Sequence, residues 1–199
     1  MRTAAKILIA TGLLGALLFV GRGIYWAPNN VDAGVTPLAS VTAVPVEENR
    51  LPSRLLIPRL SIDADVQRLG LTKSGNMAAP NNFVDVSWYK FGPIPGELGS
   101  AVIAGHEDNA LSLDGVFKHL EDLTVGDDIY VVAEDGARAH FQVVDKKLYP
   151  YDLSGPELER VFHADDAARL NLITCAGTWL PEAHTNDQRL VVYTKLVID

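Results

Sequence analysis

Between residues 51 and 199 the chain is a succession of short apolar runs cut apart by glycine, proline and acidic turns. A chain of this kind has to close one sheet on itself or stack two, because no single short strand can bury its apolar face alone. Leu55-Leu56-Ile57-Pro58 begins a first strand, with the proline marking an edge or a bend. Ser61 to Val66 alternates apolar and polar residues and reads as a second extended piece. Gly92 to Gly96 is a loop of turn formers, and Ser100 to Ala104 is a short buried strand ending at Gly105-His106. The turn at 124–128 leads into Ile129 to Val132, and Glu134-Asp135-Gly136 turns a hairpin into Ala139 to Val144. Ser154-Gly155-Pro156-Glu157 has the form of a capping box and predicts a short helix over 156–162. Leu170 to Thr174 and Leu190 to Val197 are the last two strands. The fold class is mostly β, a barrel or a sandwich.

The first fifty residues are of another kind. Arg2 and Lys6 precede an apolar run from Ile7 to Gly21. A span needs about 20 apolar residues. Arg22 snorkelling to the surface and Tyr25-Trp26 at headgroup level extend the usable length to residue 26. No small-x-small cleavage site follows the run, so residues 1–26 are expected to be an uncleaved transmembrane anchor rather than a removed signal peptide. The basic start predicts an inside N-terminus and an exported remainder. Residues 27–50, with Ala27-Pro28-Asn29-Asn30 and Val44-Pro45-Val46-Glu47-Glu48, have no sustained period and read as an extended linker. The globular domain is residues 51–199. All 25 acidic residues lie beyond residue 31, against 14 of the 17 basic ones. That balance excludes a surface built for nucleic-acid phosphates and is what a soluble domain uses to stay in solution.

The chain has one cysteine, Cys175, so no internal disulfide can form. A lone cysteine is ordinarily a small buried hydrophobe. Here His106 follows one β-like run and Arg189 opens another. Acyl transfer through sulfur needs a thiolate, a proton carrier for the leaving amine, and positive or N–H groups for the oxyanion. Cys175, His106 and Arg189 supply one of each, and an antiparallel pairing of the last two strands would bring Cys175 near Arg189. A connection over 176–188 is too long to set the register from sequence. With reference pKa values, roughly 3% of such a thiol is ionised and about a quarter of the imidazole is protonated at pH 7. An independent pair would therefore hold both charges in under about 1% of molecules.

Asn171-Leu172-Ile173-Thr174-Cys175 is similar to the Thr-Leu-x-Thr-Cys signature of the sortases, the cysteine transpeptidases of bacterial cell surfaces, with asparagine in place of the first threonine. His106 in Ala-Gly-His-Glu-Asp matches the family histidine, and Arg189 before Leu-Val-Val-Tyr matches the family arginine. The resemblance covers about residues 54–198. Gly99 to His106, taken with Leu172 to Cys175, most resembles class F, with classes D and E as alternatives. It implies an eight-stranded β-barrel with short helices, and a two-step reaction. Cys175 attacks the Thr–Gly bond of a Leu-Pro-x-Thr-Gly-like sorting signal, His106 protonates the departing amine, and Arg189 holds the substrate and steadies the oxyanion. An amine of a peptidoglycan precursor or a pilin then resolves the thioester, attaching surface proteins to the cell wall or to another subunit. The implied location is the bacterial cell membrane, single-pass, with the catalytic domain outside. The loop at about 148–168 is implied to help form the signal groove, with Val161, Phe162 and Thr174 as substrate-contact candidates.

No cofactor is expected. Glu107, Asp108, Asp114, Glu121 and Asp122 lack a regular calcium-loop spacing and read as a solvated face. His119, His140, His163 and His184 read as surface or structural side chains. Trp88, Tyr89 and Phe91 read as core aromatics, and Trp179 as a loop anchor or a wall of the site mouth. Two other functions compete. An L,D-type cysteine transpeptidase carries arginine two residues after cysteine, where this chain has Gly177. A silent, membrane-tethered binding domain would not need all three of His106, Cys175 and Arg189.

Overall fold

A computed structural model describes residues 48–108 and 113–198. The expected anchor over 1–26 and most of the linker lie outside the described residues. Among the described residues no helix is long and apolar enough to cross a membrane.

Eight strands close into one barrel: β1 (Pro52–Ile57), β2 (Ile62–Leu69), β3 (Val86–Tyr89), β4 (Gly99–Ala104), β5 (Asp128–Ala133), β6 (Arg138–Pro150), β7 (Ala168–Leu180) and β8 (Thr185–Leu196). Around the barrel the order is β1-β2-β3-β4-β7-β8-β6-β5. Two neighbouring pairs are parallel, β2 with β3 and β4 with β7, and the rest are antiparallel. Among the described residues one α-helix, α1 (Gly155–Phe162), lies on the outer face. The barrel alternative is therefore the one realised.

The strands differ from expectation where alternation is a poor guide. β3 is only Val86-Ser87-Trp88-Tyr89, and it has no alternation because its first three residues are all buried. Its Ser87 hydroxyl donates to the Ala78 carbonyl at 2.9 Å, and Trp88 Nε1 donates to the Pro93 carbonyl at 3.1 Å. Pro58 marks a bend, opening a 3₁₀ turn after β1. The Glu134-Asp135-Gly136 turn forms as expected, with Gly136 at φ 84° and Asp135 Oδ1 accepting the Ala137 N–H. The helix also forms, but Ser154 caps it by its extended backbone alone and makes no side-chain cap bond. The connection between β7 and β8 is far shorter than 176–188, because both strands run on past the barrel as a projecting hairpin.

Alternation along each strand divides the apolar side chains between two cores. Leu55, Ile57, Ala101, Ile103, Phe117, Phe141, Leu170, Leu172, Leu190 and Val192 fill the barrel. Val102, Val191 and Tyr193 point outward and pack with Tyr149 and Val161 beneath α1. The Tyr149 and Tyr193 hydroxyls meet at 2.7 Å, and the Arg160 guanidinium lies 4.2 Å from the Tyr193 ring centre. The same strands thus bury both faces, and this holds the β4-β7-β8-β6 half of the barrel firm.

Leu172→Ala deletes a fully buried side chain on the inner face of β7. It is expected to cost about 2–5 kcal/mol. Urea unfolding should show a lower midpoint at unchanged slope.

Candidate active site

The two sequence motifs carried by the parallel strands β4 and β7 end at one rim. β4 and β7 run in register from Gly99↔Ala168 to Ala104↔Ile173. The Gly105 N–H then donates to the Ile173 carbonyl at 3.2 Å, and Thr174 Oγ1 donates to the Gly105 carbonyl at 2.8 Å. Continued by two residues, this register sets His106 level with Cys175. On the other side Cys175 is directly paired with Arg189, and Arg189 with Tyr149 of β6. Cys175, Arg189 and Tyr149 therefore form one row across three adjacent strands, and His106, two residues past the end of β4, falls level with it when that register is continued. Neighbouring strands lie about 4.8 Å apart. Cys175 alternates with the inward Leu172 and Thr174, so its thiol is on the outer face, where it is half-buried.

The imidazole of His106 is held from two sides by the loop between β2 and β3. Its Nε2 lies 2.9 Å from the Pro80 carbonyl, and the Phe83 ring packs against it with centroids 4.7 Å apart. A carbonyl can only accept, so Nε2 carries a proton, and the neutral ring keeps its lone pair on Nδ1. Burial lowers the affinity of His106 for a second proton, opposed by the Pro80 bond and by the nearby Asp108. The Asn82 side-chain carbonyl accepts the N–H groups of Val84 and Asp85, which keeps this loop folded over the ring. Gly105 has to be glycine, since a Cβ there would lie 2.6 Å from a ring carbon of Phe117.

Arg189 is held by the projecting hairpin. Its Nη1 donates to the carbonyls of Asn186 at 3.1 Å and Gln188 at 2.8 Å, and Nη2 donates to Thr185 Oγ1 at 2.6 Å. Among the described residues these acceptors use three of five N–H groups, which leaves Nε–H and one Nη2–H for a ligand. The bulge just past Cys175 is set by Asp187. Its carboxylate accepts the Thr178 N–H at 2.7 Å, and its position excludes any Cβ at Gly177, which sits at φ 82°. Glu107 reaches Lys118 at 3.4 Å and Asn186 Nδ2 at 3.3 Å, and burial raises its carboxyl pKa against the pull of Lys118.

The expected groove residues fare differently. Thr174 is buried and faces inward, its hydroxyl bound to Gly105, so it reaches the site only through that glycine. Val161 is fully buried in the outer core, packed with Val102, Tyr149 and Tyr193, and so is not available to a ligand. The correction follows from the helix, whose one buried residue is Val161. Phe162 is half-buried and meets Tyr89 edge-on at 5.6 Å. Trp179 is 55% exposed on the hairpin. Glu107 is not one of a solvated run but a bridging group. Sequence reasoning also missed Pro80, Phe83, Asn186 and Asp187, which no motif or period marks. Among the described residues no three metal-ligating side chains converge.

Thr174→Val removes the bond to Gly105 and leaves a buried carbonyl unpaired. It is expected to cost about 1–3 kcal/mol in urea unfolding. The His106 ring should titrate below its ordinary value of 6.5, seen by NMR of the ring protons. Because the folded ring binds its proton more weakly than the unfolded one, the linked stability is present above 6.5 and is lost as pH falls through the folded value.

A sequence model of the sortase domain matches residues 55–197. No curated protein matches the chain. Among solved structures it is similar to a Clostridium perfringens sortase D5 transpeptidase, at 18% identity and TM-score 0.56 over 74% of this chain and 79% of that one. It is similar to sortase C1 of GBS pilus island 1 at 23% identity and TM-score 0.56, covering 73% of this chain and 64% of that one. It is also similar to sortase A from Corynebacterium diphtheriae at 18% identity and TM-score 0.56, covering 75% and 61%. The chain therefore spans under two thirds of the length of these last two. These likenesses establish the eight-stranded barrel, and the domain match, covering well over half the chain, establishes that the protein belongs to the sortase family of cysteine transpeptidases.

Proposed function

We propose that the protein is a membrane-anchored sortase that cleaves a Leu-Pro-x-Thr-Gly-like sorting signal between Thr and Gly and passes the acyl group to a cell-wall amine. The observation that supports this reading is the direct cross-strand pair of Cys175 with Arg189, with His106 following the end of the neighbouring strand β4. His106 Nδ1 takes the thiol proton as Cys175 Sγ bonds to the threonine carbonyl carbon. The Nε–H and remaining Nη2–H of Arg189 hold the oxyanion, for which a planar and permanently charged fork suits better than an ammonium. As the tetrahedral species collapses, the C–N bond breaks and the imidazolium gives its proton to the departing glycine amine. An incoming amine then attacks the thioester, the C–S bond breaks, and the amine's proton returns through His106 to the thiolate. Every step draws on protein side chains alone.

Phe162, beside Tyr89, is the remaining groove candidate on α1. The anchor over residues 1–26 would tether the domain outside a bacterial cell membrane, within reach of surface proteins and peptidoglycan precursors. The sequence pattern favours class F. A second reading, polymerisation of pilins, is favoured by the likeness to sortase C1 of GBS pilus island 1. The two differ only in the amine that resolves the thioester.

Residues 51–199 incubated with a Leu-Pro-x-Thr-Gly peptide and a glycine amine should give a ligated product by mass spectrometry, and a hydrolysed one when no amine is supplied. Cys175→Ala should give neither. His106→Ala should lose about 10²–10⁴-fold and Arg189→Ala about 10²–10³-fold in rate. Nearly full activity in Arg189→Lys would overturn the role given to the guanidinium fork.

A further inference from the structure

His106, Cys175 and Arg189 come from three separate segments, and one of them, that of His106, has left the barrel when it reaches their level. His106 lies past the end of β4, where the ladder with β7 stops at Gly105. Arg189 is held by side chains and carbonyls of the hairpin that projects beyond the rim. The ladders that fix Arg189 beside Cys175 do not extend to the His106 side chain's segment, which runs on beyond Gly105. One residue touches all three. Asn186 Nδ2 donates to Glu107 Oε2 at 3.3 Å, next to His106 in the chain. It also donates to the Gly177 carbonyl at 3.5 Å, two residues beyond Cys175. The Asn186 carbonyl accepts from Arg189 Nη1 at 3.1 Å. The amide has two N–H groups, and these two acceptors use both.

Resting on the reading of Cys175, His106 and Arg189 given above, we propose that Asn186 and Glu107 form a positioning strap that holds the His106 segment against the Cys175–Arg189 hairpin. Neither residue touches the reacting atoms. Glu107 is suited to the task because its own backbone is pinned, the Glu107 carbonyl accepting the Gly115 N–H at 2.7 Å and the His106 carbonyl accepting the Phe117 N–H at 2.9 Å. Its side chain is only 21% exposed and its other oxygen faces Lys118 at 3.4 Å, so the side chain has little room to turn away. The strap joins residues 79 apart in sequence across the mouth that carries the thiol. A bond with an ionised acceptor holds geometry better than a neutral one of the same length. Misplacement by about 1 Å costs on the order of a hundredfold in such a site.

The test is a donor–acceptor exchange in the full chain. Asn186→Asp removes both donors and sets one carboxylate against another. It is expected to lower kcat/KM for the sorting peptide about 10–100-fold, with the loss in kcat and little change in KM. Glu107→Gln alone keeps an acceptor and should lose no more than about threefold. In the double variant the amide introduced at position 107 can donate to the carboxylate introduced at position 186, and the rate should return to within about fivefold of wild type. A rate within about threefold of wild type in Asn186→Asp, or an undiminished loss in the double variant, overturns the strap. Should Asn186→Asp melt early, Asn186→Ala carries the test, its loss then being one that Glu107→Gln does not recover. Alkylation of Cys175 by iodoacetamide, run on the same proteins, needs no peptide. It should slow by about threefold or more in Asn186→Asp and recover in the double variant. If alkylation follows this pattern while wild type processes no peptide, the proposed activity fails and the strap stands. If wild type ligates peptide and all variants match it, the strap fails and the activity stands.

Discussion

The parallel pairing of β4 with β7 is the constraint on which the rest of the molecule depends. Parallel strands need a long crossover. Here β5, β6 and α1 lie in the chain between them: β5 and β6 complete the ring between β8 and β1, and α1 packs on the outer face. Because parallel neighbours point the same way, their C-terminal ends share a rim. The residue that follows one and the residue near the end of the other are then brought together without any contact between their side chains having to be found. β8 returns antiparallel beside β7, so a third residue is added to the level by a direct cross-strand pair, Cys175 with Arg189. Two kinds of register, one parallel and one antiparallel, meet at the cysteine.

This explains what can be read from the chain and what cannot. The strands that alternate, or that stand between clear turns, are legible, and so are His106, Cys175 and Arg189 as residues next to apolar runs. β3 is not, because Val86-Ser87-Trp88-Tyr89 is buried on both faces and so carries no period. The extent of β7 and β8 is hidden by their polar ends: Thr178 and Thr185 to Gln188 look like loop, yet they belong to paired strands because Asp187 fills the space above Gly177 and sets a bulge. Val161 misleads for the opposite reason. It lies in a segment full of charge, and only the structure reveals that α1 turns this residue onto Val102 and Tyr193.

The groups that hold the row are harder still to read, since they act through single bonds over long sequence separations. Pro80 serves by its carbonyl, which every residue possesses. Thr174 is the instructive case. It belongs to the signature, and its place beside Cys175 suggests a residue of the site. Its side chain points the other way, and its hydroxyl ties β7 to the Gly105 carbonyl just before His106. A residue can thus be needed by the site because it sets a register rather than because it meets a ligand.

The electrostatics of the row follow from the same packing. His106 lies between Phe83 and the Pro80 carbonyl, and burial makes its second proton harder to hold. Arg189 is then a permanent cation paired directly with Cys175, and it stands on the side of Cys175 away from the imidazole. A ring that binds a proton weakly is a poorer base toward the thiol, but once protonated it is a stronger acid toward the leaving amine. The two halves of the first step make opposite demands on one group. In the reaction proposed, an environment that lowers the proton affinity of His106 would favour breaking the C–N bond over forming the C–S bond, and would leave the stabilisation of negative charge on sulfur and oxygen to the guanidinium that the hairpin carries.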